Sequence, residues 1–348
     1  MSTLREYYNQ HKTISIIFVA SIAFVLLLVL VKATIDRQHI DIAEPVSIYV
    51  PSGSDFEALT DSLKAHDCIV DEVVFRGMAK TRKLDRHVKP GRYVVEPGMS
   101  VVRLVGKLYS GNQDAVRVTV NRHRTNEQLC RFFASKLEME ADSLLVLLND
   151  SETTEQYGFT PETIIGMFVQ NTYDIYWTTT PQKLLDRMKK EYDRFWNAKR
   201  RGECMAMGMS QQEVITLASI VDEETNKDNE KSTIASVYLN RLRKGMALQA
   251  DPTVKYAVGD FGIRRILHKH LEVNSPYNTY KNIGLPPGPI CMPSISSIDA
   301  VLANRKTDYL YFCAKEDFSG YHNFAATPDE HARNAQRFHQ ALNKKGIK

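Results

Sequence analysis

The chain has 348 residues, 43% of them hydrophobic and 25% charged, which leaves room for two domains with a sizeable core. The formal net charge of +4 is small and no basic tract carries interleaved aromatic residues, so nucleic acid is excluded as an expected partner. The cysteines are odd in number and widely spaced, and they form no C-x-x-C pattern, so neither a zinc site nor a disulfide framework is predicted. They are Cys68, Cys130, Cys204, Cys291 and Cys313.

The first predicted element is a transmembrane helix. Residues 13–31, from Thr13 to Val31, read TISIIFVASIAFVLLLVLV, 19 residues without a charge, which is long enough to span a bilayer. A cleaved signal peptide fits less well, because VKATID is a poor cleavage site and no nearby cysteine offers a lipid anchor. An uncleaved anchor is therefore predicted. Basic residues lie on both sides of it, so charge alone does not decide its orientation.

A strand followed by a capped helix occurs three times in the first half. The stretches are VSIYVPSGSDFEAL (46–59), RYVVEPGMSVVRLVGKL (92–108) and VRVTVNRHRTNEQLCRFF (116–133). The predicted caps are the capping boxes Ser54 with Glu57 and Thr125 with Gln128, and the single cap Ser100.

Asp71 is a further predicted cap, for a helix that runs through Met78. Residues 44–120 are therefore predicted to form a small strand–helix–helix–strand module. Its order resembles that of a LysM module, a fold that cradles N-acetylglucosamine polymers. The alternative is that an unrelated α+β domain reuses the same turn chemistry.

The stretch SQQEVITLASIVDEETNK (210–227) predicts a helix with one apolar face. Ser210 and Glu213 form a capping box, so the helix is expected to begin at Gln211. Apolar residues then recur at helical spacing and predict a single buried stripe. They are Val214, Leu217, Ala218 and Val221.

Three acids end this helix. At about 100° per residue Glu223 points away from the apolar stripe, so it is expected to be solvated, whereas Asp222 and Glu224 lie on the two flanks. The spacing does not choose between these two. A plain charged helix end is the alternative, although negative charge late in a helix opposes the helix dipole.

The rest of the chain predicts a mixed α+β domain. A second amphipathic helix is predicted to end with Gly245 as its C′ residue, a position that commonly has a left-handed conformation. Its apolar residues are Ile234, Val237, Tyr238 and Leu242. The chain is then expected to turn sharply at Asp251. Residues 275–294, SPYNTYKNIGLPPGPICMPS, predict a long structured loop, the usual place for binding residues. A strand over 307–315 and a strand end, turn and terminal helix over 320–338 follow, with Thr327 near the helix cap.

Five motifs occur in order along the second half of the chain: TLASIVDEET, ASVYLNRLRKGMALQADPTVKY, SPYNTYKNIGLPPGPICMPS, DYLYF, and HNF followed by T and EH. Together they resemble the motifs of the YceG-like family, the MltG-type endolytic murein transglycosylases. The resemblance covers nearly the whole chain. It implies a cytoplasmic tail over 1–12, the anchor, the LysM-like module and a catalytic domain over 121–345.

The family resemblance also implies a function. It implies a single-pass protein of the bacterial cytoplasmic membrane, with its N-terminus inside and its body outside. The family cuts peptidoglycan strands internally, between N-acetylmuramic acid and N-acetylglucosamine, and leaves 1,6-anhydro-muramyl ends. Cell-wall synthases are implied partners, with termination of nascent strands as the implied role. No cofactor and no metal are expected.

In the family's A-S-I-[IV]-E-x-E segment the second acid is catalytic, and that position is Glu224 here. The first acid is Asp222, which is expected to support Glu224. It is a departure, since the family usually has Glu there. One carboxyl suffices for this chemistry, because it first protonates the glycosidic oxygen and then takes the proton of the C6 hydroxyl, whose oxygen closes on C1. Partial burial would raise the pKa of Glu224 in the required direction.

Other polar residues of the motifs are candidates for support or substrate binding. Three are expected to line the cleft, although Asp251 could instead cap the following turn, and three are candidate sugar contacts. Asn240 and His322 are further candidates whose alternative role is structural. In the order of these roles, the residues are Gln249, Asp251 and Thr253; Asn278, Thr279 and Tyr280; Asn240 and His322.

A second departure lies in IIGMFVQNTY (164–173). The family commonly has Glu where this chain has Ile165, and Pro-Asp where it has Gln170 and Asn171. We interpret the segment as a variant cleft wall that could change substrate preference.

Two other functions stay open on the sequence. The first is a membrane-anchored peptidoglycan-binding scaffold with weak or no activity. The second is a glycoside hydrolase that uses Glu224 with Asp222 or Asp251 as base and produces reducing ends. No G-x-S-x-G, H-E-x-x-H or phosphate-loop motif predicts other chemistry.

Overall fold

The computed structural model describes residues 2–36, 38–263 and 265–346. The chain forms two compact units, Met1–Val116 with Asp174–Thr178, and Arg117–Tyr173 with Thr179–Lys348. The described residues contain helices and three two-stranded sheets, so the predicted mixed α+β class is confirmed.

The first unit contains an antiparallel strand pair, β1 with β2, whose register runs from Val46↔Val95 to Val50↔Gly91. Two helices separate the strands, as predicted, while the likeness to a LysM module stays a prediction. The strands and helices share one apolar core with Ile48, Phe75 and Tyr93 at its centre. The elements are α1 Ser2–Asp36, β1 Val46–Val50, α2 Phe56–Ala65, α3 Glu72–Thr81, β2 Gly91–Val95 and α4 Val101–Ser110.

Helix α1 contains the predicted anchor. Its window Ile16–Ala33 has a mean hydropathy of 2.9, and none of that window is buried. This apolar surface is long enough to cross a bilayer.

One predicted helix cap in the first unit is wrong. Asp55, not Ser54, caps α2, because its carboxylate accepts a hydrogen bond of 2.8 Å from the Ala58 N–H. Glu57, predicted to close the box, instead binds Arg76 at 2.8 Å.

The other predicted caps are largely right. Asp71 caps α3 and Ser100 caps α4. Thr125 caps α5, but the Gln128 side chain accepts from the Arg124 N–H at 3.0 Å, so the reciprocal half of the predicted box is displaced by one residue.

The second unit contains most of the helices. Strands β3 and β4 pair with each other, and the division between the two units falls within both of them. The elements are β3 Val116–Val120, α5 Asn126–Ala134, α6 Ala141–Asn149, α7 Ser151–Gln156, β4 Asn171–Ile175, α8 Pro181–Phe195, α9 Ala198–Met207, α10 Gln211–Glu224, α11 Asp228–Arg243, α12 Asp251–Val258, α13 His268–Leu271, α14 Ile295–Leu302, β5 Tyr311–Ala314, β6 His322–Ala325 and α15 Pro328–Lys344.

Helix α10 is the centre of this unit. It begins at Gln211 with the predicted capping box of Ser210 and Glu213. The prediction of a single apolar stripe was wrong, because every residue from Val214 to Asp222 is buried. Helices α11 and α14 pack on α10, so it is enclosed by neighbours rather than resting on one of them.

The chain after α11 builds the surroundings of α10. Gly245 has the predicted left-handed conformation, with φ of +65°. Asp251, where a sharp turn was predicted, is instead the first residue of α12. The described residues 272–294 contain no helix or strand, in agreement with the predicted loop. Strands β5 and β6 form an antiparallel pair, and α15 packs on β5.

Two glycines test how closely the loop packs. A Cβ on Gly288 would lie 2.3 Å from the Glu162 carbonyl oxygen, whereas one on Gly202, within α9, would meet nothing within 4 Å. We expect Gly288→Ala to lower the free energy of unfolding by about 1–3 kcal/mol and Gly202→Ala to raise it by about 0.5–1 kcal/mol. Denaturant unfolding of the full chain in detergent, followed by tryptophan fluorescence, measures both; equal effects would contradict the close approach.

Candidate active site

Glu224 is the last residue of α10. The chain turns to extended backbone at Thr225, with φ of −148° and ψ of 141°. The Tyr238 hydroxyl, on α11, donates a hydrogen bond of 2.5 Å to Glu224 Oε1. Tyr238 is only 1% exposed, so its hydroxyl is fixed by packing. The sequence placed Tyr238 among the apolar residues of its helix and missed this contact.

The side chain of Glu224 lines a pocket of about 200 Å³. The walls come from α10, α11, the segment that leads into α12, the loop after α13, and β5. The lining residues are Glu224, Tyr238, Arg241, Leu248, Gln249, Asp251, Tyr280 and Phe312. Of the residues predicted from sequence, Glu224, Gln249, Asp251 and Tyr280 therefore meet in one place.

Burial raises the pKa of Glu224 to about 7. The hydrogen bond from Tyr238 opposes this rise because it favours the ionised carboxylate, while the negative charge of Asp251 adds to it. The carboxyl is thus close to half protonated at neutral pH. It can therefore give a proton or take one with little free-energy cost.

Asp251 is a second carboxylate in the same pocket. The residue that caps α12 is Ala250, so the alternative in which Asp251 caps the turn is wrong. Its Oδ1 instead accepts a hydrogen bond of 2.6 Å from the Tyr280 hydroxyl. The Gln249 backbone, with φ of +51°, turns the chain into the pocket wall.

Arg241 fixes the opposite wall. Its guanidinium donates to the Leu310 carbonyl at 2.7 Å and to the Leu248 carbonyl at 2.8 Å. Its carbon Cζ lies 5.3 Å from the centre of the Tyr311 ring. Arg241 is only 8% exposed. Its contacts join α11 to the start of β5 and to the segment before α12.

Three predicted contacts are buried instead. Thr253 and Asn278 are fully buried and Thr279 is 1% exposed. The Thr253 and Thr279 hydroxyls bond each other at 2.8 Å, and Thr279 Oγ1 accepts from the Ala250 N–H. Asn278 donates to the carbonyls of Leu271 and Val273. Direct contact of these three with a ligand does not fit, because the two threonines hold the loop to α12 and Asn278 holds it to the end of α13.

Asp222 lies in a buried polar network beside the helix end. It is 7% exposed and its carboxylate lies 3.3 Å from Lys231 Nζ, itself on a 5% exposed residue. The hydroxyls of Ser294 and Ser297 also donate to it. Asp222 does not line the pocket of Glu224, so its support is indirect: it ties α10 to α11 and α14.

The prediction that Glu223 is solvated was wrong. Its side chain is 14% exposed and forms two hydrogen bonds with Arg124, at 3.0 Å and 2.9 Å. Arg122 lies 3.7 Å from the same carboxylate. The helical wheel placed Glu223 away from the stripe, but α10 is enclosed on that side too.

The two remaining candidates, Asn240 and His322, bond to other parts of the protein. Asn240 donates to the carbonyls of Thr307 and Tyr309. His322 Nδ1 lies 3.0 Å from Glu230 Oε2, and neither Asn240 nor His322 lines the pocket. Among the described residues, no group of three His, Cys, Asp or Glu side chains that could hold a metal ion is found.

The site has a partly buried acid at a helix end, beside a second carboxylate in the same pocket. These features are those of a site for acid–base catalysis. The chain belongs to the YceG-like family, whose model matches residues 48–337. It is similar to a protein of Bacillus subtilis named endolytic murein transglycosylase, with 32% identity over 330 residues that cover 90% of each chain.

Two further similarities agree with this assignment. An endolytic murein transglycosylase of Streptococcus pneumoniae is 26% identical over 86% of this chain and 59% of its own length. A crystal structure of a putative YceG-like protein from Listeria monocytogenes matches with a TM-score of 0.57 and 30% identity, over 84% of this chain and 99% of that one.

Asp222 and Asp251 have different roles in the structure, and measurements of stability distinguish these roles. Lys231 is buried between the carboxylates of Asp222, at 3.3 Å, and Asp228, at 2.8 Å. Asp222→Ala removes one of them, so we expect a loss of about 3 kcal/mol in the free energy of unfolding. Asp251→Ala removes one hydrogen bond at an exposed residue, and we expect a loss of about 1 kcal/mol or less. Denaturant unfolding in detergent compares the two; a larger loss for Asp251→Ala would contradict this division.

Proposed function

We propose that this chain is a membrane-anchored endolytic lytic transglycosylase that cleaves the bond between N-acetylmuramic acid and N-acetylglucosamine in peptidoglycan. The observation that carries the proposal is the carboxyl of Glu224, with a pKa of about 7, in a pocket open to solvent. Family membership and the names of the similar proteins supply the substrate class.

Glu224 acts first as an acid. Oε1 accepts the hydrogen bond from Tyr238, which leaves Oε2 to carry the proton. That proton passes to the glycosidic oxygen as its bond to C1 of the muramyl sugar breaks, so the N-acetylglucosamine side leaves as an alcohol.

The same group then acts as a base. Glu224, now ionised and stabilised by Tyr238, takes the proton of the muramyl C6 hydroxyl, and that oxygen bonds to C1. The product is a 1,6-anhydro ring, the protonated Glu224 is restored, and no water is consumed. Attack within one sugar has the advantage of proximity, so a second catalytic carboxylate is unnecessary.

The proposed location is supported by the apolar helix α1. We propose that its apolar window Ile16–Ala33 anchors the chain in the cytoplasmic membrane, with the N-terminus inside and the body outside. Internal cuts made beside the membrane would release strands during their synthesis. Association with cell-wall synthases rests on the family resemblance alone.

A glycoside hydrolase is the second candidate, favoured by the presence of Asp251 in the pocket of Glu224. In that reaction Asp251 would activate a water molecule, and the products would carry reducing ends. The two candidates share the acid and differ in the nucleophile, so the ends of the products distinguish them.

The main test uses the full chain in detergent with intact peptidoglycan and mass spectrometry of the products. We expect the wild type to produce 1,6-anhydro ends and Glu224→Gln to be slower by roughly 10²–10⁴-fold. Asp251→Asn should still yield anhydro ends.

Other outcomes have definite meanings. Reducing ends from the wild type that disappear with Asp251→Asn would establish the hydrolase instead. If the wild type cleaves nothing while it still binds strands, the chain is a peptidoglycan-binding scaffold, and both enzymatic proposals fail.

The pH dependence of the activity of a Tyr238 variant tests whether Glu224 is the acid. Tyr238→Phe removes the hydrogen bond that favours the ionised carboxylate, so the pKa of Glu224 should rise above about 7. Activity is lost as the acid ionises, so the alkaline limb of the pH–rate profile should move to higher pH. Tyr192→Phe, whose hydroxyl bonds Gln211 away from the pocket, is the control; a limb that stays in place or moves to lower pH would count against Glu224 as the acid.

A further inference from the structure

Two more cavities of the second unit lie beyond the pocket of Glu224. The narrow cavity measures about 40 Å³ and the outer cavity about 360 Å³. Arg124, Tyr256 and Phe261 line both of them, so the two cavities adjoin.

Helix α12 passes along all three spaces. Asp251 at its start lines the pocket of Glu224, Pro252 and Lys255 line the narrow cavity, and Gly259 at its end lines the outer cavity. Eight helical residues extend about 12 Å, more than one sugar ring. The cavities therefore follow one another along α12.

The end of α10 gives the same order. Glu223 lines the narrow cavity and its neighbour Glu224 lines the pocket. Arg124 and Glu223, which both line the narrow cavity, are joined there by two hydrogen bonds. A chain molecule whose bond lies at Glu224 would thus extend toward the outer cavity.

The outer cavity combines flat apolar faces with polar groups. The ring centres of Tyr256 and Phe261 are 6.2 Å apart, and the Arg124 guanidinium lies 5.1 Å from the centre of the Phe261 ring. Buried Ile165, from the segment that departs from the family pattern, adds apolar wall. A pyranose ring also has an apolar face of C–H groups and a rim of hydroxyls, so it matches such walls.

The charges of the outer cavity disfavour an anionic ligand. Arg124 is already neutralised by Glu223 through two hydrogen bonds. Glu127 and Glu162 add negative charge to the lining. A carboxylate of a stem peptide would therefore be repelled, whereas a neutral sugar would not.

We propose that the outer cavity is a distal sugar subsite, which binds an N-acetylhexosamine of the same glycan strand that Glu224 cleaves. This inference rests on the proposed function. It predicts that the protein senses strand length, because Phe261 lines the narrow and outer cavities but not the pocket of Glu224, so only a strand that extends beyond that pocket reaches it.

The test measures binding, with cleavage prevented. The full chain carrying Glu224→Gln, in detergent, is titrated with peptide-free di-, tetra- and hexasaccharides of N-acetylglucosamine and N-acetylmuramic acid whose lactyl carboxyl groups are amidated, so that every sugar is neutral. A parallel titration uses strands that bear stem peptides. We expect Phe261→Ala to weaken binding of the longest oligosaccharide by roughly tenfold and to leave disaccharide binding unchanged. Phe261→Leu, which keeps apolar bulk without the flat ring, should give the same length-dependent loss if the ring face is the contact.

Phe195→Ala is the matched control. Phe195 also lies under an arginine, with Arg200 Cζ 4.1 Å from its ring centre, but it lines none of the three spaces. It should leave the affinities for all three oligosaccharides unchanged.

Three results would overturn the subsite. One is an unchanged hexasaccharide affinity in Phe261→Ala, and another is an equal loss at every length. A loss seen only with peptide-bearing strands would assign the cavity to the stem peptide. If the Glu224→Gln parent binds none of the oligosaccharides, the proposed function fails together with the subsite.

Discussion

Burial of the carboxyl group of Glu224 at the end of an enclosed helix is the constraint on which the site depends. An ionised carboxylate is poorly solvated there, so the pKa rises to about 7. Tyr238 limits the rise through its hydrogen bond to Oε1. The two effects together leave the group able to hold a proton and to lose it near neutral pH, which an acid that must later act as a base requires.

The helix end that carries Glu224 is fixed by the two acids before it. Asp222 joins α10 to Lys231 and the serines that begin α14, and Glu223 binds Arg124 on the other side. Three successive acids would repel one another in an isolated helix. Here Arg122 lies near the first two acids, while their closest partners and that of Glu224 differ. Of the three, only Glu224 lines the pocket.

The sequence predicted local structure and family well, and three-dimensional enclosure poorly. Capping patterns gave the start of α10, because a cap depends on residues three apart. Burial of Glu223 depended on Arg124, about a hundred residues earlier, which no local pattern connects to it. Thr253 and Thr279 have polar side chains suited to sugars, yet they bond each other between α12 and the loop. Tyr238 was concealed for the opposite reason, since its ring packs as an apolar residue and only its hydroxyl serves the site.

The protonation state of Glu224 near neutral pH is the central claim, and it can be observed directly. The infrared difference between wild type and Glu224→Gln, followed from about pH 4 to about pH 9 in the full chain, isolates the band of the protonated carboxyl. A band that disappears with a midpoint near pH 7 is the predicted result. A midpoint near 4.5, the ordinary value for glutamate, would contradict the account, because the group would then be ionised before it could donate.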